Sequence, residues 1–159
     1  MSSSLGRRNF LQASAATVGA AMVPYTFSSE HLSAAESAND RLRFASIGVG
    51  GRGTQLLGNA SKFGDIVAVC DVDRSHAERA REKAGGKAAI YEDYRKLLER
   101  KDIDAVTIGT PDHWHVPIAL AACRAGKDVY CEKPVTLTVE EGQMLVRTVK
   151  ETGRVFQVG

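Results

Sequence analysis

The sequence predicts an α/β fold in which a doubly wound parallel sheet carries helices on both faces. Three observations lead to this prediction: short apolar runs alternate with helical stretches after Asp40, a glycine-rich loop follows the first run, and an acidic residue ends the second. Regular alternation of strand and helix is typical of a parallel sheet, because each helix returns the chain to the edge at which the previous strand began.

The strands are predicted from β-branched and apolar runs at 42–47, 66–70, 87–91, 105–109, 128–131 and 155–158. The helices are predicted from stretches of helical period at 54–63, 75–84, 93–100, 115–125 and 139–151. Glycines stand just past four of these helices, where a left-handed cap favours glycine, at Gly64, Gly85, Gly126 and Gly153. Ser75 and Thr138 are predicted N-caps, and Glu141 completes a capping box with Thr138.

The charge and hydropathy patterns argue against nucleic acid and membrane partners. Of 159 residues, 21 are Lys or Arg and 19 are Asp or Glu, so the net charge is +2 and no basic face stands out. Domains that bind nucleic acid carry a concentrated basic face instead. The longest apolar stretch, residues 10–23, is shorter than the roughly 20 residues that a membrane-spanning helix needs.

The first 39 residues are predicted to be an export signal and a spacer. Arg7 and Arg8 are followed by a weakly hydrophobic stretch and then by small residues that favour cleavage after Ala35. The arginine pair resembles the twin-arginine signal, which implies transport of the folded protein by the twin-arginine export machinery to the periplasm. An amphipathic or disordered arm that happens to carry two arginines is the alternative. The predicted domains are therefore 1–39 and an α/β domain at 40–159.

The loop after the first strand fits the pattern G-x-G-x-x-G with Gly48, Gly50 and Gly53. In a strand–loop–helix context, these glycines allow a tight turn, a close approach of the backbone to a pyrophosphate, and close packing of helix on strand. The N-terminus of the following helix offers free N–H groups to the anion. A glycine-rich surface turn is the alternative interpretation of this loop.

Asp71 ends the second strand, 18 residues beyond Gly53. A carboxylate at this place accepts hydrogen bonds from the ribose of NAD and repels the 2′-phosphate of NADP, so we expect NAD to be preferred. Arg74 and Ser75 follow closely and can hold a 2′-phosphate if Asp71 turns away. NADP binding is therefore the alternative. Asp73 is expected to cap the turn or helix.

Two further polar segments are predicted at the same sheet edge, at 109–115 after the fourth strand and at 131–134 after the fifth. A lysine beside a nicotinamide, such as Lys133, can stabilise negative charge that develops on a substrate oxygen. Glu132 can tether that lysine or line the nicotinamide ribose. A solvated loop lysine is the alternative for Lys133.

Four motifs in the order GVGGRG at 48–53, CDVD at 70–73, TPDHWH at 110–115 and AGKDVYCEKP at 125–134 resemble the Gfo/Idh/MocA oxidoreductases. The resemblance implies a Rossmann domain that binds NAD or NADP, with Lys133 as the catalytic lysine. It also implies that Thr110, Pro111 and His115 border the nicotinamide. The residues expected to contact the coenzyme are Gly48, Gly50, Gly51, Arg52, Gly53, Asp71, Arg74, Thr110, Pro111, His115, Glu132 and Lys133.

His113 and His115 also permit a zinc interpretation, but no third ligand is in view, so we expect no metal. Trp114 between them is expected either to stack on a sugar or the coenzyme or to pack on the core. Cys70 and Cys131 end the second and fifth strands, which lie roughly 14 Å apart if the strand order is 3-2-1-4-5-6. That separation excludes a disulfide between them.

Members of the family continue into a second α/β domain that provides most substrate contacts, and this domain is expected to be absent from the present chain. We therefore expect the coenzyme-binding half of an exported oxidoreductase that moves hydride between a sugar-like or polyol-like substrate and nicotinamide. The complete protein is expected to be a homo-oligomer. Two alternatives stay open: an NAD-dependent glycosidase that uses transient oxidation, and a non-catalytic dinucleotide-binding module.

Overall fold

The structure is a computed structural model, and it describes residues 41–159 of the chain. The predicted export signal, with Arg7, Arg8 and the expected cleavage after Ala35, lies outside the described residues.

Within residues 41–159 the chain forms a six-stranded sheet. The strands are β1 Leu42–Ile47, β2 Gly64–Cys70, β3 Ala89–Tyr91, β4 Ala105–Ile108, β5 Asp128–Cys131 and β6 Phe156–Val158. The helices are α1 Gly51–Ala60, α2 Arg74–Lys83, α3 Tyr94–Leu98, α4 His115–Arg124 and α5 Val139–Thr152, with a 3-10 turn at Asp112–Trp114. All neighbouring strands are parallel, in the order β3-β2-β1-β4-β5-β6. The predicted doubly wound sheet and its strand order are confirmed.

Helices cover the two faces of the sheet and create a separate core on each. One core contains Leu57 of α1 and Val69 of β2, and the other contains Leu97 of α3 and Cys70 of β2. Val69 and Cys70 are neighbours in sequence but belong to different cores, because successive side chains of a strand point to opposite faces. Strands buried on both faces read as continuous apolar runs, which is the pattern the sequence shows.

Most predicted helix boundaries hold, and the exceptions have physical reasons. Thr138 and Glu141 form the predicted capping box at the start of α5. Ser75 is not an N-cap, because the Asp73 carboxylate accepts the Ser75 N–H at 2.8 Å and caps α2 instead. The prediction that Gly64 is a left-handed helix cap is wrong. Gly64 opens β2, where a Cβ would overlap the carbonyl oxygen of Leu42 on the paired strand.

In the first turn of α1, Gly53 packs directly on the backbones of Gly48, just after β1, and Gly109, just after β4. No side chain separates these backbones. Gly48 has a φ of +73°, and a Cβ on Gly53 would overlap the Gly48 carbonyl oxygen. A Cβ on Gly109 would lie 2.6 Å from the Gly53 Cα. α1 begins at Gly51, three residues before the predicted start. The close packing of Gly53 places the helix N-terminus directly at the carboxyl edge of the sheet.

Replacing Gly53 by Ala is expected to lower the free energy of unfolding by about 1–3 kcal/mol or more, because the new methyl group forces the backbones apart. Gly51→Ala is the matched control, since a Cβ at Gly51 meets no atom within 4 Å. We expect its free energy of unfolding to change by less than about 1 kcal/mol. Urea denaturation of the 159-residue chain, followed by circular dichroism, measures both values. Equal effects of the two substitutions would show that the close packing of Gly53 is not required.

Candidate functional site

A cavity of about 500 Å³ lies at the carboxyl edge of the sheet, beside the glycine loop. Its walls come from the ends of β1, β2 and β4, from the first turn of α2, and from the segment that leads into α3. Ligands of open parallel sheets bind at this edge, where the strand order reverses between β1 and β4. The cavity volume falls in the range of small-molecule and cofactor sites.

The N-terminus of α1 opens onto this edge without a side-chain cap. Its N-cap residue is Gly50, and among residues 41–159 no side chain caps the helix start. The loop itself is held in shape by Thr54, whose hydroxyl donates to the Val49 carbonyl oxygen at 2.6 Å. The first N–H groups of a helix have no partner inside the helix and carry partial positive charge. Gly51, Arg52 and Gly53 therefore present backbone donors suited to a pyrophosphate.

The Asp71 carboxylate joins the end of β2 to the glycine loop. Its Oδ2 accepts the N–H of Val49 at 2.9 Å, and its Oδ1 accepts the N–H of Asp73 at 3.0 Å. The side chain is 11% exposed. Because a carboxylate has about four acceptor positions, each oxygen keeps one for a hydroxyl group of a ligand.

Arg74, the predicted alternative contact for a 2′-phosphate, does not line the cavity. Its exposed guanidinium lies 3.0 Å from Glu78 and 3.4 Å from Glu92, and Glu92 itself lines the cavity. The carboxylates of Asp71 and Asp73 also belong to the cavity wall. The wall next to the end of β2 is therefore acidic.

Arg52 and Glu132 link the start of α1 to the turn after β5. Arg52 Nε donates to Glu132 Oε1 at 2.6 Å, while Glu132 Oε2 accepts the backbone N–H of Lys133 at 3.2 Å. Burial of Glu132 raises its pKa, but these hydrogen bonds and the charges of Arg52 and Lys133 outweigh burial and hold the pKa below its ordinary value. The Lys133 side chain is exposed beside this anchored carboxylate.

His115 is buried rather than placed on the cavity wall. Its Nδ1 lies 2.7 Å from the Pro134 carbonyl oxygen and its Nε2 lies 2.9 Å from the Thr110 carbonyl oxygen. The imidazole thus connects the segment after β4 to the Lys133 turn. A carbonyl oxygen lies against each ring nitrogen, so neither nitrogen of His115 is directed at a zinc site. Within residues 41–159, no group of three or more His, Cys, Asp or Glu side chains is arranged to hold a metal ion.

The aromatic side of the cavity is formed by Trp114 and Tyr94. Trp114 is 40% exposed, and its ring meets Tyr94 edge to face at 6.3 Å. Thr110 and Pro111 complete this side. The Thr110 hydroxyl oxygen is buried and finds no hydrogen-bond partner among the described residues. A polar ligand atom in the cavity would satisfy it, since buried polar groups are rarely left unpaired.

Cys70 contributes a buried thiol to the cavity wall, and Cys123 and Cys131 are buried free thiols elsewhere. Burial, together with the charges of Asp71 and Asp93, raises the pKa of Cys70 to about 12. The thiolate is the nucleophilic form, so Cys70 is inert near neutral pH. Cys70 and Cys131 end β2 and β5, and β1 and β4 lie between these strands, in the predicted order.

The structure brings five of the predicted site residues together in the cavity: Gly48, Gly50, Asp71, Thr110 and Pro111. The other seven do not line it: Gly51, Arg52, Gly53, Arg74, His115, Glu132 and Lys133. Sequence reasoning did not single out several wall residues that lie in or next to helices: His76, Glu92, Asp93, Tyr94, Arg95 and Ile118. His76 was detectable, because it stands five residues after Asp71 in the first turn of the helix.

No helix within residues 41–159 combines the length and apolar character that a membrane crossing requires.

The strand order, the uncapped helix at a glycine loop and the carboxylate at the end of β2 together define a Rossmann domain for dinucleotides. Residues 42–159 match the family model described as "Oxidoreductase family, NAD-binding Rossmann fold". The chain belongs to this family, the Gfo/Idh/MocA oxidoreductases, and it is an NAD(P)-binding domain.

The chain is similar to proteins named glycosyl hydrolase family 109 protein and to proteins named inositol 2-dehydrogenase. A glycosyl hydrolase family 109 protein of Stenotrophomonas maltophilia is 33% identical over 96% of the chain, and 35% of that protein is covered. An inositol 2-dehydrogenase of Salmonella paratyphi B is 33% identical over 74% of the chain, and 36% of that protein is covered. The chain thus spans about a third of the length of these relatives.

Solved structures show the same fold. An NAD-binding protein from Listeria innocua matches 74% of the chain with a TM-score of 0.68 and 33% identity, over 35% of its own length. The myo-inositol 2-dehydrogenase from Lactobacillus plantarum matches 74% of the chain with a TM-score of 0.67 and 31% identity, over 36% of its own length.

Proposed function

We propose that this chain is the coenzyme-binding part of an exported oxidoreductase that prefers NAD and transfers hydride to or from a sugar-like or polyol-like carbon. The observation that carries the proposal is the Asp71 carboxylate, which is fixed to the glycine loop and still has acceptor capacity toward the cavity. The nicotinamide group, when bound, supplies the hydride acceptor or donor. The name of the inositol 2-dehydrogenase relative supports a polyol substrate.

The residues of this chain would hold the coenzyme at three points. Backbone N–H groups at the start of α1 bind the pyrophosphate, Asp71 binds the adenosine ribose, and the Glu132–Lys133 turn borders the nicotinamide. The edge of the cavity next to α1 fits a dinucleotide for two reasons. Within the described residues, no side chain caps the start of α1 and no group hydrogen-bonds to the buried Thr110 hydroxyl. The carboxylates of Asp71 and Asp73 on the cavity wall support NAD over NADP, because they repel a 2′-phosphate.

Lys133 is the proposed catalytic residue. Its backbone is held by Glu132, which is itself anchored by Arg52, and its ammonium group is exposed at the carboxyl edge of the sheet. At this place it can stabilise negative charge on a substrate oxygen, or donate a hydrogen bond to a hydroxyl group while hydride leaves the neighbouring carbon. Arg52 and His115 act as positioning residues, because each contacts a segment next to Lys133. The expected homo-oligomer of the complete protein stays a prediction.

Asp71→Ala is expected to weaken NADH binding about tenfold to hundredfold, because a hydrogen bond to a charged group contributes about 1.5–3 kcal/mol. NADPH affinity is expected to fall less, since the substitution also removes repulsion of the 2′-phosphate. Isothermal titration of the 159-residue chain measures both affinities.

Asp65→Ala is the matched control for Asp71→Ala. It removes a carboxylate near the opposite end of the same strand, where Asp65 pairs with Arg41. Both affinities should match those of the unsubstituted chain. An equal loss of NADH and NADPH affinity in Asp71→Ala would contradict the assigned role of Asp71.

A second candidate is a glycosidase that oxidises its substrate transiently and ends with no net redox change. The glycosyl hydrolase family 109 relatives favour it, since one matches 96% of the chain. The complete protein that carries this chain should be purified, assayed for retained nicotinamide coenzyme, and tested with glycosides without added coenzyme. The proposed oxidoreductase should reduce added NAD with a polyol and cleave no glycoside. Cleavage with no net coenzyme reduction would favour the second candidate.

We also propose export by the twin-arginine route, which carries folded proteins and therefore suits a protein that captures its coenzyme in the cytoplasm. The support is the sequence order of Arg7 and Arg8, a weakly apolar stretch and small residues. Replacing both arginines by lysine should hold the full chain in the cytoplasm, as measured by cell fractionation. An Arg79→Lys, Arg81→Lys variant controls for arginine loss and should be exported normally. Unchanged export of the Arg7, Arg8 variant would refute the route.

A further inference from the structure

His76 lies in the first turn of α2, on the cavity wall between Asp71 and Asp73. Its Nδ1 is 3.6 Å from Asp71 Oδ1, and its Nε2 is 3.8 Å from Asp73 Oδ2. Both distances exceed those of protein hydrogen bonds. The ring therefore lies close to two carboxylates while its nitrogens keep hydrogen-bonding capacity for a ligand. Its side chain is 39% exposed.

The same imidazole also faces the glycine loop. Apart from the residues next to Gly50 in the chain, the nearest atoms to a Cβ built on Gly50 are His76 Nδ1 at 3.6 Å and His76 Cε1 at 3.7 Å. His76 thus lies between Gly50, where we expect the pyrophosphate, and the Asp71 carboxylate, where we expect the ribose.

The two oxygens of Asp71 face different surroundings. Oδ2 is fixed by the N–H of Val49 and faces the glycine loop, whereas Oδ1 is fixed by the N–H of Asp73 and faces His76. In an adenosine ribose, C3′ is bonded to the carbon that carries the 5′-phosphate arm, and C2′ is bonded to the carbon that carries the base. If the phosphates lie at the glycine loop, we expect the 3′-hydroxyl on the Oδ2 side of Asp71. The 2′-hydroxyl is then expected on the Oδ1 side, next to His76.

We propose that His76 is a specificity-determining residue that hydrogen-bonds the adenosine 2′-hydroxyl of the coenzyme. The inference rests on the placement of the dinucleotide given under the proposed function. The 2′-hydroxyl donates to Asp71 Oδ1 and accepts from an N–H of His76. A 2′-phosphate at this point meets the carboxylates of Asp71 and Asp73. The nearby guanidinium groups of Arg74 and Arg95 are each paired with acidic side chains. The pocket therefore selects the 2′-hydroxyl over both a phosphate and a hydrogen atom.

The test compares two ligands that differ by one oxygen atom. The 159-residue chain and its His76→Ala variant are titrated with NADH and with the analogue of NADH whose adenosine lacks the 2′-hydroxyl. We expect His76→Ala to lose about three- to tenfold in NADH affinity, as for one hydrogen bond. Its affinity for the 2′-deoxy analogue should stay within about twofold of that of the unsubstituted chain.

Arg79→Ala is the matched control, because Arg79 is exposed on the same helix and does not line the cavity. It should leave both affinities unchanged. No loss for NADH in His76→Ala, or an equal loss for both ligands, overturns the proposal, since a general change of the loop affects the two ligands alike. An unsubstituted chain that binds neither ligand would instead overturn the proposed placement of the dinucleotide, and the role of His76 with it.

Discussion

The close backbone contact of Gly53 with Gly48 and Gly109 holds the start of α1 against the carboxyl edge of the sheet. Gly53 packs on the Gly48 carbonyl group and on Gly109, so α1 lies directly against the backbones of β1 and of the segment after β4. The free N–H groups of its first turn are thereby brought to the switch point of the sheet. A side chain at this contact would displace the helix start from Asp71 and from the turn after β5. The uncapped helix start and the Asp71 carboxylate therefore lie at the same edge of the sheet.

Two side-chain links extend this rigid arrangement to the turn that carries Lys133. One is the Arg52–Glu132 ion pair, and the other is the buried His115 between two backbone carbonyl groups. Burial of a carboxylate is costly unless hydrogen bonds compensate for the lost hydration, and Glu132 receives them from Arg52 and from the Lys133 backbone. The segments that follow β1, β4 and β5 are therefore connected through side chains as well as through the sheet.

The sequence predicted the fold and part of the site because both depend on short-range patterns. Buried strands and helices of regular period specify the sheet, and parallel connections leave few orders for six strands. The glycine spacing around Gly50, the position of Asp71 and the capping box at Thr138 are likewise local features. The role of Gly64 was misjudged because its constraint is contact with Leu42 on another strand, which sequence spacing does not reveal.

The sequence by itself determined the class of fold, the glycine loop and the acidic end of β2, since these follow from periodicity and from the conformations that particular residues permit. Only the tertiary structure decided which side chains meet across the sheet. It paired Arg52 with Glu132, 80 residues away, and turned Arg74 toward Glu92. It also placed His76 beside Asp71. The physical reason is that ion pairs and hydrogen bonds depend on distances of a few ångströms between segments far apart in the chain, and those distances exist only after the helices have packed.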